Sequence, residues 1–319
     1  MDISELMKLA DKFNVIPVIS ESFNASETPL SIYRKMSKEN SAFLLESAEQ
    51  GVWSRYSFVG FNPRGELSEL DGTAEWKGPE LPFQLSTEPI TALEQISEHY
   101  KSAQISELPL QSGLVGHMSW NVVRSLERLP KPKNSEYSLP RLHFLQFREI
   151  VVLDHLDSKL YVIHNLFTDD GISNDSLDLA NSRIERIKEN LRKPYLAEIY
   201  DVDFEAEDDA EASMQKPEFL SMVNSAKEHV IAGDVFQVVV SQRFVQSLKV
   251  SAEEVYAVLR ALNPSPYMYL LQLEDNLGTY WIVGSSPEAL VRINPETIVS
   301  HPIAGSRPRG LTPIQDLEL

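Results

Sequence analysis

The stretch LHFLQFREIVVLDHLDSKLYVIHNLF, residues 142–167, decides the fold class. Apolar and polar residues alternate along it, and β-branched residues recur. Phe144, Phe147, Ile150 and Val152 precede a polar group at 154–158, and Leu160, Val162 and Ile163 follow it. That order predicts a long antiparallel hairpin with its turn at 154–158.

Working outward, residues 41–47 and 56–60 read as neighbouring strands across a turn at 49–54. Residues 15–19 read as extended, and 113–116 as a glycine-punctuated strand. Helices are expected at the start of the chain (Ile3, Leu6, Leu9, Ala10), from Thr28 through Met36 with Pro29 in its first turn, and over 90–103. A charged amphipathic helix is expected over 175–192, with Leu177, Leu179, Ile184, Ile187 and Leu191 on its apolar side.

Toward the C-terminus, Phe219, Leu220, Met222, Val223, Ala226, Val230 and Ile231 recur at helical spacing, and Gly233 ends that helix. Residues 235–244 read as a strand. Ser251 and Glu254 form a capping box that opens a helix along Val255, Val258, Leu259 and Leu262. Further strands are expected at 268–273, 280–283, 289–293 and 297–301. Antiparallel connections outnumber clean crossovers, which predicts an α+β fold with large, mainly antiparallel sheets flanked by helices. The acidic run 205–211 lacks apolar periodicity and reads as a solvated linker. The expected organisation is therefore residues 1–200, a linker at 201–216, and a second region over 217–319.

The 319 residues are enough for two ordinary domains. Lys and Arg total 29 against 47 Asp and Glu, a net charge of −18, and no basic stripe offsets it. Nucleic acid is thus not an expected partner. The absence of cysteine excludes disulfides, thiolate metal sites and thiol nucleophiles. No signal-peptide profile opens the chain, and no apolar run is long enough to span a bilayer, so no membrane association and a cytoplasmic location are expected. The seven histidines are scattered without ligand spacing and read as surface or satisfied core residues. Ser285-Ser286-Pro287-Glu288 reads as a tight turn.

Residues 304–310 carry more chemistry. Gly305 permits close backbone approach, Ser306 offers a hydroxyl, and Arg307 and Arg309 flank Pro308. Such a turn can bind a carboxylate, or it can simply close a hairpin as a basic surface turn.

Five segments, in order, carry a family resemblance. They are Leu44-Leu45-Glu46-Ser47 with Arg55-Tyr56-Ser57-Phe58-Val59-Gly60, the segment from Ala232 to Phe244, Asn263-Pro264-Ser265-Pro266-Tyr267-Met268, Gly284-Ser285-Ser286-Pro287-Glu288, and the segment from Pro302 to Gly310. Together they resemble anthranilate synthase component I, the large subunit, among the chorismate-binding enzymes. The resemblance implies that 1–200 is the N-terminal region with the tryptophan-site element, and that 217–319 is the N-terminal part of a chorismate-binding domain.

The implied reaction converts chorismate and ammonia to anthranilate and pyruvate, a carbon–oxygen lyase step opening tryptophan biosynthesis. Ammonia would come from glutamine through a partner glutamine amidotransferase, component II. The aminodeoxychorismate branch commonly has a nucleophilic Lys where this chain has Ala304, which favours direct attack by ammonia. That branch and a non-catalytic tryptophan- or partner-binding protein are the alternatives. Carried over by motif, Leu45, Glu46, Ser47, Pro266, Tyr267 and Met268 would contact the feedback inhibitor L-tryptophan. Leu45, Tyr267 and Met268 also suit a plain strand core.

Gly305 and Ser306 would contact chorismate; the family usually has Thr at the position of Ser306, and Ser keeps the hydroxyl with a looser rotamer. His117, Trp120 and Asn121 depart from the family's usual pattern. The Mg²⁺ ligands and the remaining catalytic groups are expected beyond residue 319. The chain thus reads as C-terminally truncated and inactive alone, with no catalytic residue assigned within it.

Overall fold

A computed structural model describes residues 2–37, 41–48, 55–130, 139–195, 199–203, 205, 209–294, 296–303, 308 and 310–318. Two compact units are present: Met1–Ala197 with Val255–Leu319, and Glu198–Glu254. The segment from 217 onward therefore divides between them.

The larger unit begins with α1 (Ile3–Ala10), β1 (Val15–Phe23), α2 (Pro29–Met36), β2 (Ala42–Glu46), β3 (Tyr56–Leu70) and β4 (Thr73–Lys77). It continues through α3 (Pro89–His99), β5 (Leu114–Met118), α4 (Val123–Leu126), β6 (Leu142–Asp154), β7 (Lys159–Phe167) and α5 (Asn174–Arg192). The smaller unit holds β8 (Glu211–Ala212), α6 (Lys216–Ala232) and β9 (Phe244–Val245). Then come α7 (Ala252–Leu262), β10 (Tyr267–Asp275), β11 (Gly278–Ser286), β12 (Arg292–Ile293), β13 (Ile298–Val299) and α8 (Pro313–Glu318). The α+β class holds, and the named strand pairs are all antiparallel.

The main sheet runs β1-β7-β6-β3-β2-β10-β11, with β4 added to β3 and β5 to β6. The β6–β7 hairpin forms as its alternation dictates, with Ser158 in the left-handed region at the turn (φ 51°). Local capping fixes the helices. Thr28 and Ser31 exchange side-chain and backbone bonds at the start of α2, and Ser173 and Ser176 do the same for α5.

One face of the sheet closes over Phe43, Phe147, Ile150, Val152, Ile163, Leu271 and Leu273. Phe43 and Phe147 meet edge to face, with centroids 5.3 Å apart. Gly60 passes so close to Phe43 that an added Cβ would lie 2.1 Å from its ring, and Gly284 is equally close to the Tyr269 ring. The glycines of two family motifs are thus required by aromatic packing.

The sheet is strongly curled. Four strand steps separate β6 from β11, about 19 Å in a flat sheet at about 4.8 Å per step. Yet the Tyr280 hydroxyl of β11 stands 2.9 Å from His143 Nδ1 on β6 and 3.1 Å from His117 Nε2 on β5. His143 Nε2 lies 3.2 Å from the Glu66 carboxylate. These residues fasten the curl from inside. His117, unassigned in the sequence, is therefore a packing residue, and His143 is a satisfied core histidine.

Three expectations are corrected. On α5 the buried residues are Leu177, Ala180, Ile184, Ile187 and Leu191, while Leu179 is exposed. Two residues along a helix is about 200° of rotation, so Leu179 turns away and Ala180 takes its place. Residues 235–243 form no strand; only Phe244–Val245 pairs, with Glu211–Ala212. β-branched residues alone cannot hold a strand without a neighbour to take its backbone bonds, and Val239 is exposed. The strands expected at 289–293 and 297–301 shrink to β12 and β13. The turn at 49–54 lies outside the described residues.

Candidate functional site

In the register of β2 and β10, Glu46 faces Met268 and Leu45 faces Tyr269. Alternation divides the predicted residues between two faces. Leu45 joins Phe43 and Tyr269 on the core side, so its packing is that of a core strand residue. Glu46 and Met268 lie on the opposite face, both buried. Beyond the strand ends, the Ala48 N–H donates to the Ser265 carbonyl at 3.0 Å. This bond draws the segment holding Ser47 toward the one holding Pro266. Tyr267 remains about half exposed.

The loop before β10 is tied down by serines. Ser285 donates to the Asn263 carbonyl at 2.6 Å and stands 2.7 Å from the buried Ser265 hydroxyl. The expected tight turn at 285–288 is corrected: Ser285 and Ser286 end β11, paired with Met268 and Tyr267, and the Ser285 hydroxyl anchors the neighbouring loop.

Glu46 is the unusual group. Its Oε1 accepts from the Tyr256 hydroxyl at 2.5 Å and from Arg260 Nε at 2.8 Å. Its Oε2 is buried with no partner, and so is the hydroxyl oxygen of Ser47, the next residue. A buried polar atom without a partner costs about 1–3 kcal/mol, so two in consecutive residues call for a function. Burial and the Glu46 charge push the Tyr256 phenol well up. Burial acts to lower Arg260, but its hydrogen bond to Glu46 and their mutual charge raise it overall, so it stays a cation. Glu46 Oε2 and Ser47 Oγ are thus two acceptors left without a donor.

Tyr256 and Arg260 were not singled out in the sequence. Their signal is a polar pair at i and i+4, which places both on one face of α7. Ala304, Gly305, Ser306, Arg307 and Arg309 lie outside the described residues. Among the described residues no three His, Cys, Asp or Glu side chains converge to hold a metal ion.

The model of the chorismate binding enzyme family matches residues 40–319. The chain belongs to that family. Among chorismate binding enzymes it is 39% identical to anthranilate synthase component 1 of Arthrobacter globiformis, across 97% of this chain and 60% of that protein. It is 38% identical to the component 1 protein of Mycolicibacterium smegmatis, across 98% of this chain and 61% of that one. The solved anthranilate synthase component I of Streptococcus pneumoniae TIGR4 superposes with a TM-score of 0.62 at 25% identity, covering 86% of this chain and 60% of that chain. This family member thus spans about 60% of the length of these relatives. No helix among its described residues is long and apolar enough to cross a membrane.

Proposed function

We propose that the chain belongs to an anthranilate synthase large subunit, which converts chorismate and ammonia to anthranilate and pyruvate and is inhibited by L-tryptophan. Chorismate chemistry is supported by the family and by the names of the relatives. Ala304, which cannot act as an amine nucleophile, favours attack by ammonia over the aminodeoxychorismate route. Gly305 and Ser306 are proposed chorismate contacts. A glutamine amidotransferase subunit would supply the ammonia, in line with the component 1 naming of the relatives. Catalysis is proposed for the whole protein, with the Mg²⁺ ligands outside residues 1–319, and the reaction is proposed to run in the cytoplasm.

The observation that carries the regulatory half is the unpartnered pair Glu46 Oε2 and Ser47 Oγ. An α-ammonium group supplies N–H donors for both, and Met268, on the same face as Glu46, is a proposed apolar contact for the indole. The test is anthranilate fluorescence from chorismate, ammonium and Mg²⁺ using the whole natural protein. The expected result is product formation that falls as L-tryptophan is added. Product formation indifferent to L-tryptophan would sink the regulatory half, and aminodeoxychorismate as product would sink the assignment of the reaction.

A further inference from the structure

We infer that Tyr256 and Arg260 are positioning residues: by occupying one oxygen of Glu46 they present the other, with the Ser47 hydroxyl, to a ligand's ammonium group. The inference rests on the amino-acid site proposed above and assigns the part of it that reads the amino group.

Arginine–carboxylate pairs are frequently two-pronged, with both oxygens engaged. The pair made by Arg260 is not. Its Nε meets Oε1 at 2.8 Å, the oxygen that Tyr256 also holds at 2.5 Å, and Oε2 is left bare. Both donors reach Glu46 from one face of α7. A glutamate side chain has three rotatable bonds, and two donors converging on a single oxygen select one orientation out of many. Arg260 also balances the Glu46 charge, which lets the carboxylate remain buried before any ligand arrives.

What remains without a donor is a buried carboxylate oxygen and, on the next residue, a buried hydroxyl oxygen. A primary ammonium can donate to both and complements the carboxylate's charge, whereas a carboxylate has no proton to donate. Tyr256 and Arg260 would therefore set the preference for an amino acid over its deaminated analogue without touching the ligand.

The alternative role is simple attachment of α7 to the sheet, and the two roles predict different selectivity. The full chain and the variants Tyr256→Phe, Arg260→Gln and Arg260→Lys are titrated calorimetrically with L-tryptophan and with indole-3-propionate, which lacks the amino group. Unchanged circular dichroism establishes that each variant is folded. The expected result is roughly tenfold weaker L-tryptophan binding for Tyr256→Phe and Arg260→Gln, with indole-3-propionate changed less than about twofold. Arg260→Lys, which keeps a charged donor, should recover part of the loss. Equal weakening of both ligands, or no change in either, would overturn the positioning role while leaving the site intact. Failure of the unaltered chain to bind L-tryptophan would overturn the site itself, and the inference with it.

Discussion

The Tyr256 hydroxyl stands 2.5 Å from Glu46, a residue 210 positions earlier in the chain. One partner lies on α7 and the other at the last position of β2. Both are buried, so this bond joins two distant parts of the larger unit where solvent cannot compete.

Stability should register that bond. Tyr256→Phe keeps the ring and deletes one donor to a buried carboxylate, so unfolding free energy should fall by about 1–3 kcal/mol in urea titration. An unchanged midpoint would mean that the bond contributes nothing in solution.

Acid should loosen the curled sheet through His117. Burial, and then the neighbouring His143, hold the His117 pKa down from 6.5 to about 4. The unfolded chain therefore takes up this proton first as pH falls. The stability that neutral His117 provides is full above pH 6.5, declines between pH 6.5 and about 4, and is gone below that. His117→Gln should flatten the slope of stability against pH in that window. Equal slopes in denaturation series at several pH values would contradict this account. Glu66 adds a lower window. Burial opposes its ionisation, but the hydrogen bond from His143 brings its pKa below 4.5, so its contribution fades only at more acidic pH.

Close packing makes a third expectation. Gly60→Ala would place its methyl 2.1 Å from the Phe43 ring, so something must shift. Overpacking of this kind costs about 1–3 kcal/mol. Thermal unfolding should show the loss, and Phe43→Leu in the same chain should restore part of it. If the double variant is no more stable than Gly60→Ala alone, the clash is not the cause.

Much of the fold was legible because its signals are local. The hairpin over 142–167 announces itself by period-two alternation, and the starts of α2 and α7 by Pro29 and by the Ser251–Glu254 capping box. What was missed depends on partners distant in sequence. β3 continues past Gly60 to Leu70, although Pro63 and Gly65 interrupt the strand pattern, because β6 pairs on both sides of the irregularity there. Residues 235–243 have the composition of a strand and no neighbour to make them one. At the candidate site, Glu46, Ser47, Pro266, Tyr267 and Met268 were named through motif resemblance. Only the register of β2 on β10 reveals that Leu45 and Tyr267 turn to the face opposite Glu46 and Met268. Tyr256 and Arg260 escaped notice because a helical tyrosine and arginine do not announce which carboxylate they will meet.

The most direct test of the central claim is calorimetric titration of the chain with L-tryptophan, beside the variants Glu46→Gln and Ser47→Ala. Saturable binding is predicted for the unaltered chain. Glu46→Gln should weaken it roughly tenfold or more, because a charge-assisted bond to the ammonium is lost, and Ser47→Ala should weaken it less. Undiminished affinity in Glu46→Gln would contradict the assignment of these strand ends as the amino-acid site.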